Sequence, residues 1–300
     1  MYAITGATGH TGNIVARRLL ADCQSVRAIG RDQQRLQPLV DAGAEPCVCN
    51  LNDTADLAKA FAGCEAAYVV IPPDSTTKNY RAFQDRVTDA VASALAVAGV
   101  KFAVALSSIG ADKAGKTGPV VGLHHLEKRL SGIDHLNVLF LRAGYFMENT
   151  LAQADLIHTM DKTAGPLRPD LKVPMIAARD IGNAAADALL RFDFVGRQTR
   201  ELHGQRDLSY GEVAQIIGQA IGKPDLAYVQ IPDDDFRAAL VQMGLSTNIA
   251  NLILEMAAAM NSGHMRPLEP RSAANTTATS FESFVTTEFL PVYESHLAHA

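Results

Sequence analysis

The stretch Tyr2-Ala3-Ile4-Thr5-Gly6-Ala7-Thr8-Gly9-His10-Thr11-Gly12 decides how the rest of the chain is read. A short apolar strand runs into a glycine turn, and the turn opens a helix. Gly6 permits a sharp turn, Gly9 lets backbone approach a pyrophosphate, and Gly12 lets the helix pack closely on the strand. The free N–H groups of the helix that follows then face the phosphates. The spacing is G-x-x-G-x-x-G, one residue wider at the front than the usual dinucleotide fingerprint.

The pattern continues outward from that turn. Apolar runs at Tyr2–Thr5, Val26–Gly30, Glu45–Val48, Ala67–Ile71, Phe102–Ser107 and Asn137–Arg142 alternate with segments of helical spacing. These are Thr11–Ala21, Gln33–Ala42, Thr54–Ala62, Tyr80–Ala98 and His124–Leu130. Such alternation predicts right-handed crossovers and a doubly wound, Rossmann-type parallel sheet within an α/β fold. Residues 1–150 form the NAD(P)-binding domain in this reading. Residues 151–300, broken by Pro166, Pro169 and Pro174, read as a smaller, mostly helical lobe with some segments returning to the sheet. Ser209 and Glu212 have capping-box spacing before a helix, and Asp233-Asp234-Asp235 read as helix-capping acids rather than a metal site.

Composition narrows the function. Of 300 residues 48% are hydrophobic and 20% charged, with a net charge of −5, which excludes a disordered chain and gives no basic footprint for nucleic acid. No apolar run reaches the roughly 20 residues of a membrane span. The four cysteines, Cys23, Cys47, Cys49 and Cys64, lack zinc-type spacing and read as free thiols of a reducing compartment. The first strand begins at the first residues, leaving no room for a leader, so the expected location is the cytoplasm.

The end of the second strand chooses the dinucleotide. Arg31 falls there and Arg35 one helical turn later, positions that suit the 2′-phosphate of NADP. Asp32 is the competing acidic residue and reads as the cap of the next helix. NADPH is therefore favoured over NADH.

The chain resembles the NmrA-like branch of atypical short-chain dehydrogenases, which includes quinone-oxidoreductase-like members and flavin-free azoreductases. The resemblance rests on Thr5–Gly12, Val69-Val70-Ile71-Pro72-Pro73, Ala105-Leu106-Ser107-Ser108-Ile109-Gly110 and Leu141-Arg142-Ala143-Gly144-Tyr145-Phe146-Met147-Glu148-Asn149. It extends to Pro174–Ile181. The resemblance implies that Thr8, His10 and Thr11 line the phosphates, that Asn50 lies beside the adenine where relatives often carry aspartate, and that Ile71 and Pro72 pass near the adenosine ribose. It places Ser107, Ser108, Gly144, Tyr145 and Phe146 at the nicotinamide. It also implies an NADPH-dependent reductase of quinones or azo compounds, or alternatively a redox sensor that acts through a protein partner.

One departure bears on mechanism. The main branch of short-chain dehydrogenases uses Tyr-x-x-x-Lys for proton transfer, and none of the seven tyrosines here has lysine four residues on. His124 and Lys128 keep that spacing on one helical face, so they become candidates for proton transfer, with Lys128 also a cofactor contact. His125 is an equally available neighbour, and Tyr145 and Ser108 complete the catalytic candidates. Tyr145, Phe146 and Met147, with Phe236, Leu240 and Met243 from the lobe, are expected to wall an apolar site for a small aromatic substrate. The protein is expected to act as a monomer or homodimer, without binding nucleic acid or membrane.

Overall fold

A computed structural model describes residues 1–297. Seven strands form one parallel sheet: β1 (Tyr2–Ile4), β2 (Val26–Gly30), β3 (Glu45–Val48), β4 (Ala66–Val69), β5 (Phe102–Ser108), β6 (Asn137–Ala143) and, from the second half, β10 (Arg197–Leu202). Their order is β10-β6-β5-β4-β1-β2-β3. The chain reverses direction across the sheet between β1 and β4, and in open α/β sheets that switch point is where ligands bind.

Side chains alternate across each strand and feed two apolar cores. Ala3, Ala67, Val69, Ala103 and Ala105 face the core under α3 (Thr54–Phe61), α4 (Tyr80–Ala98) and α5 (Val120–Ser131). Ile4, Ala66, Tyr68 and Val104 face the other, under α1 (His10–Ala21), α2 (Gln33–Val40) and α7 (Ala178–Arg191). Alanine dominates the inner strands because helices lie close on both faces. Asp32, Asp53 and Asn79 cap α2, α3 and α4 by accepting first-turn N–H groups.

The remaining elements build the lobe. β7 (Tyr145–Phe146), β9 (Val173–Ile176) and β11 (Asp207–Leu208) make a small sheet; β8 (Thr163–Gly165) pairs with β12 (Tyr228–Gln230). Around them lie α6 (Gln153–Met160), α8 (Tyr210–Ala220), α9 (Asp233–Gln242), α10 (Thr247–Asn261), α11 (Phe281–Phe284) and α12 (Leu290–Leu297). The Ser209–Glu212 capping box forms as its spacing predicts. All three aspartates of 233–235 occupy the first turn of α9.

Two segments differ from expectation. α5 begins at Val120, not His124, and β4 stops at Val69, so Val70-Ile71-Pro72-Pro73 runs as a loop along the carboxyl edge. Among the described residues no helix is long and apolar enough to cross a membrane.

Candidate active site

Thr5 ties the switch point together. Its hydroxyl donates to the Tyr68 carbonyl at 3.1 Å and accepts from the Val70 amide at 2.9 Å, joining the ends of β1 and β4. The buried Tyr68 hydroxyl then donates to the Thr11 hydroxyl at 2.9 Å, fastening α1 to the sheet. Gly6 sits at φ +60°, the left-handed region that glycine tolerates, and a Cβ at Gly12 would overlap the Gly6 carbonyl. The helix is therefore held tight against its own turn.

A groove of about 1,090 Å³ opens over that turn. Gly6, Thr8, Gly9, His10 and Thr11 line it together with Arg31, Arg35 and Asn50, and the Arg35 guanidinium lies 3.5 Å from the Thr8 carbonyl oxygen. Gly12 is buried beneath it as packing, in keeping with the role assigned to the third glycine. α1 has no side chain capping its N-terminus, whereas α2, α3 and α4 do, so its first-turn donors stay available to an anion. Asp32 is engaged: its carboxylate accepts from the Gln34 and Arg35 amides at 2.8 and 3.3 Å. Arg86, exposed on α4, adds a third guanidinium to the groove. This donor set suits a dinucleotide: uncapped helix amides for the pyrophosphate and guanidinium groups for a further phosphate.

Ile71 and Pro72 also line the groove, and a second cavity, about 480 Å³, continues from it. Val70, Ile71, Leu106 and Phe146 line both spaces and mark the passage between them. Ser107, Ser108, Gly144 and Tyr145 line the second cavity at the carboxyl ends of β5 and β6. A Cβ on Gly144 would come 2.5 Å from the Pro174 carbonyl oxygen, so only glycine lets the chain cross beneath β9 and deliver Tyr145 to the wall.

The hydroxyl groups there are specifically arranged. Ser107 donates at 2.6 Å to Glu127, which also holds Arg142 through two bonds of 2.9 and 2.6 Å. Ser108 donates to the Ile109 carbonyl at 3.0 Å. Tyr210 donates to the Tyr145 hydroxyl at 3.2 Å, which leaves the Tyr145 proton as a donor in its own right. Burial pushes Tyr145 above the usual phenol range, partly offset by hydrogen bonds from Tyr210 and Asn149, so it is protonated at neutral pH.

His124 and Lys128 are not among the residues lining either space. α5 turns Val120 and Leu123 toward the cavity and Glu127 toward Ser107. One residue further on is about 100° round the helix, which carries His124 and Lys128 off that face. The His124 ring instead lies 2.8 Å from the Ala111 carbonyl, and Lys128 is exposed. His125 faces Asp85 and Asp89, each at 3.9 Å.

The apolar wall also differs from expectation. Tyr145 and Phe146 line it, but Met147 is buried in the lobe core and Phe236, Leu240 and Met243 lie outside it. α9 buries none of its residues. Met256 and Met260 of α10, with Met265 beyond it, occupy the wall instead. The apolar sequence of α10 does not show which neighbour it covers; Arg86 and Cys49, also in the groove, carry no distinguishing sequence signal.

The NmrA-like family pattern matches residues 2–288. The chain belongs to the NmrA-like family. This NmrA-like chain is 29% identical over 260 residues to quinone oxidoreductase 2 of Escherichia coli K12, covering 85% of the chain and 86% of that protein. It is 28% identical to the (4-alkanoyl-5-oxo-2,5-dihydrofuran-3-yl)methyl phosphate reductase of Streptomyces griseus, over 80% of each. Among solved structures, the NADPH-dependent quinone oxidoreductase of Escherichia coli complexed with NADPH superposes with a TM-score of 0.82 at 25% identity, covering 96% of this chain and 100% of that one. Triphenylmethane reductase of Citrobacter shares the fold at 20% identity, with a TM-score of 0.77 and coverage of 96% and 99%.

Proposed function

We propose that this NmrA-like chain is an NADPH-dependent reductase that passes two electrons to a quinone or azo acceptor held in the apolar cavity, without a flavin. The observation that carries the reading is the passage at Val70, Ile71, Leu106 and Phe146, where the dinucleotide groove meets a separate substrate-sized cavity. The NADPH complex of the Escherichia coli quinone oxidoreductase, on the same fold, supports the cofactor.

When bound, NADPH would supply the hydride. Gly6, Thr8, Gly9, His10 and Thr11 hold the pyrophosphate through backbone amides and short side chains. Arg31 and Arg35 would receive the 2′-phosphate, Asn50 would meet the adenine, and Ile71 and Pro72 would pass the ribose. Ser107, Ser108, Gly144 and Phe146 shape the nicotinamide end. Tyr145, protonated as a donor, hydrogen-bonds the acceptor oxygen or nitrogen and supplies its proton; Tyr210 and Asn149 hydrogen-bond the phenolate left behind, which takes a proton back from solvent. For a quinone the balance is quinone plus NADPH plus one proton giving hydroquinone and NADP⁺.

The test is to mix the protein with NADPH and a panel of quinones and azo dyes, following reduced-nicotinamide absorbance and dye colour. Acceptor-dependent NADPH loss without added flavin supports the reading. Tight NADPH binding with no turnover across the panel overturns it in favour of a redox sensor.

A further inference from the structure

The substrate cavity has a charge pattern that its apolar lining does not require. Among the described residues no aspartate or glutamate lines it, while Lys172 and Arg266 do. Lys172 is already engaged, its ammonium donating at 2.7 Å to Glu212. Arg266 is exposed and forms no hydrogen bond or ion pair with any described residue.

Of the other polar side chains of the wall, Tyr80 brings only a neutral hydroxyl, Asn149 hydrogen-bonds Tyr145, and the next three are committed within the protein. Gln84 donates to the Pro119 carbonyl at 2.9 Å, Ser107 to Glu127, and Ser108 to the Ile109 carbonyl. Tyr145 belongs to the proposed proton transfer. Arg266 is thus the cation left to meet an incoming ligand.

Its backbone is also held. The Met265 amide donates to the Ala259 carbonyl at 3.0 Å, closing the end of α10. Three residues on, the Leu268 amide donates to both oxygens of Glu201, at 3.0 and 3.2 Å, and the Glu269 amide to one of them at 3.1 Å. Glu201 and its partner His203 are both 2% exposed, at the inner end of β10. A buried carboxylate therefore pins the strap on one side of Arg266 and the helix terminus pins it on the other. A guanidinium on a fixed strap beside an acid-free, apolar cavity is arranged to receive an oxyanion.

We propose that Arg266 is a specificity residue that selects aromatic acceptors bearing an oxyanion, its guanidinium gripping the anion while the ring system enters the apolar cavity. Arg266 does no redox chemistry and moves no proton. The assignment of these ligands as acceptors rests on the reductase reading above; the binding preference does not.

Two measurements keep those claims apart. Calorimetry compares naphthalene sulfonate, which cannot be reduced, with a neutral naphthalene alcohol on the wild type, Arg266→Gln and Arg266→Lys. The expected result is sulfonate binding weakened about 3- to 10-fold in Arg266→Gln and largely retained in Arg266→Lys, with neutral binding unchanged. The wild-type preference for the sulfonate should also shrink as salt rises. Steady-state turnover then compares naphthoquinone with its sulfonate; KM for the sulfonate should rise in Arg266→Gln while kcat holds. Equal wild-type affinity for sulfonate and alcohol, or equal losses for both in Arg266→Gln, would overturn the proposal. If neither quinone is reduced but the binding preference holds, the reductase reading fails and the Arg266 site stands.

Discussion

Adding one methyl group at Gly9 and one at Gly12 should separate folding from cofactor binding in the same turn. At Gly12 a Cβ would overlap the Gly6 carbonyl oxygen, lie 2.8 Å from its carbon and come 3.2 Å from the Thr5 oxygen. All three are backbone atoms of a turn tied to β4 by Thr5, so no flexible side chain can yield. Overpacking of this kind costs about 1–3 kcal/mol. At 2–4 °C per kcal/mol for a domain of this general size, Gly12→Ala should lower Tm by roughly 2–12 °C. At Gly9 the backbone constraint is milder. Its φ of −91° suits any residue, and the nearest atom to a Cβ is the Gly6 oxygen at 3.3 Å, the only one within 4 Å. The added methyl stands in the open groove, where a pyrophosphate would approach. Gly9→Ala should lower Tm less than Gly12→Ala does, because its one tight contact lies 3.3 Å from the Gly6 oxygen rather than overlapping it, yet weaken NADPH binding by roughly tenfold or more through a lost close approach. Differential scanning calorimetry and fluorescence titration with NADPH read the two effects. Wild-type NADPH affinity in Gly9→Ala would refute the placement of the phosphates, and wild-type melting of Gly12→Ala would refute the tight turn.

Replacing Arg31 and Arg35 by alanine should weaken NADPH binding by roughly 10-fold or more while leaving NADH nearly unchanged, since only the former offers a 2′-phosphate to a charged donor; paired titrations check it. Tyr145→Phe should lower kcat by about 10²-fold with KM little altered, the size associated with losing a proton donor, and the wild-type rate should not fall through mildly alkaline pH because burial keeps the phenol protonated. Glu127→Gln should cost on the order of 3 kcal/mol in a denaturant titration, because the Glu127 and Arg142 side chains are each only 12% exposed and Arg142 would lose its counter-charge. Glu212 is held down to about 2 from 4.5 by Lys172 first and the Ser209 amide second. The unfolded chain therefore binds the extra proton first on acidification, so this contribution is present above about pH 4.5 and is lost as pH falls toward 2. Thermal melts should show less acid destabilisation over that window in Glu212→Gln than in the wild type.

The cofactor half was legible because its chemistry is local. A strand, three glycines and the start of a helix lie within the first dozen residues, and Arg31 follows at the next strand end, so chain order and spatial order coincide there. That a later segment returns to the sheet was expected, but which one was not legible: Arg-Gln-Thr-Arg-Glu-Leu of β10 reads as a polar segment, and its place beside β6 is set by pairing across some sixty residues. The face of α5 was missed for a different reason. The i, i+4 spacing of His124 and Lys128 shows that they share a side, but the side facing the cavity is chosen by Glu127, which docks on Ser107 and Arg142. The far wall is made by Met256 and Met260 of α10 and by Met265–Pro267, brought to the cavity by tertiary packing that no short motif encodes. Tyr145 was legible as a candidate, whereas its support by Tyr210, 65 residues away, was not.

Direct two-electron transfer across the passage between groove and cavity is tested most closely by single-turnover reduction of naphthoquinone, without flavin, using NADPH deuterated on one or the other face of the nicotinamide. The account predicts NADPH loss that needs the quinone and is slowed by deuterium on one face alone. Binding without quinone-dependent loss, or loss insensitive to deuterium on both faces, would contradict it.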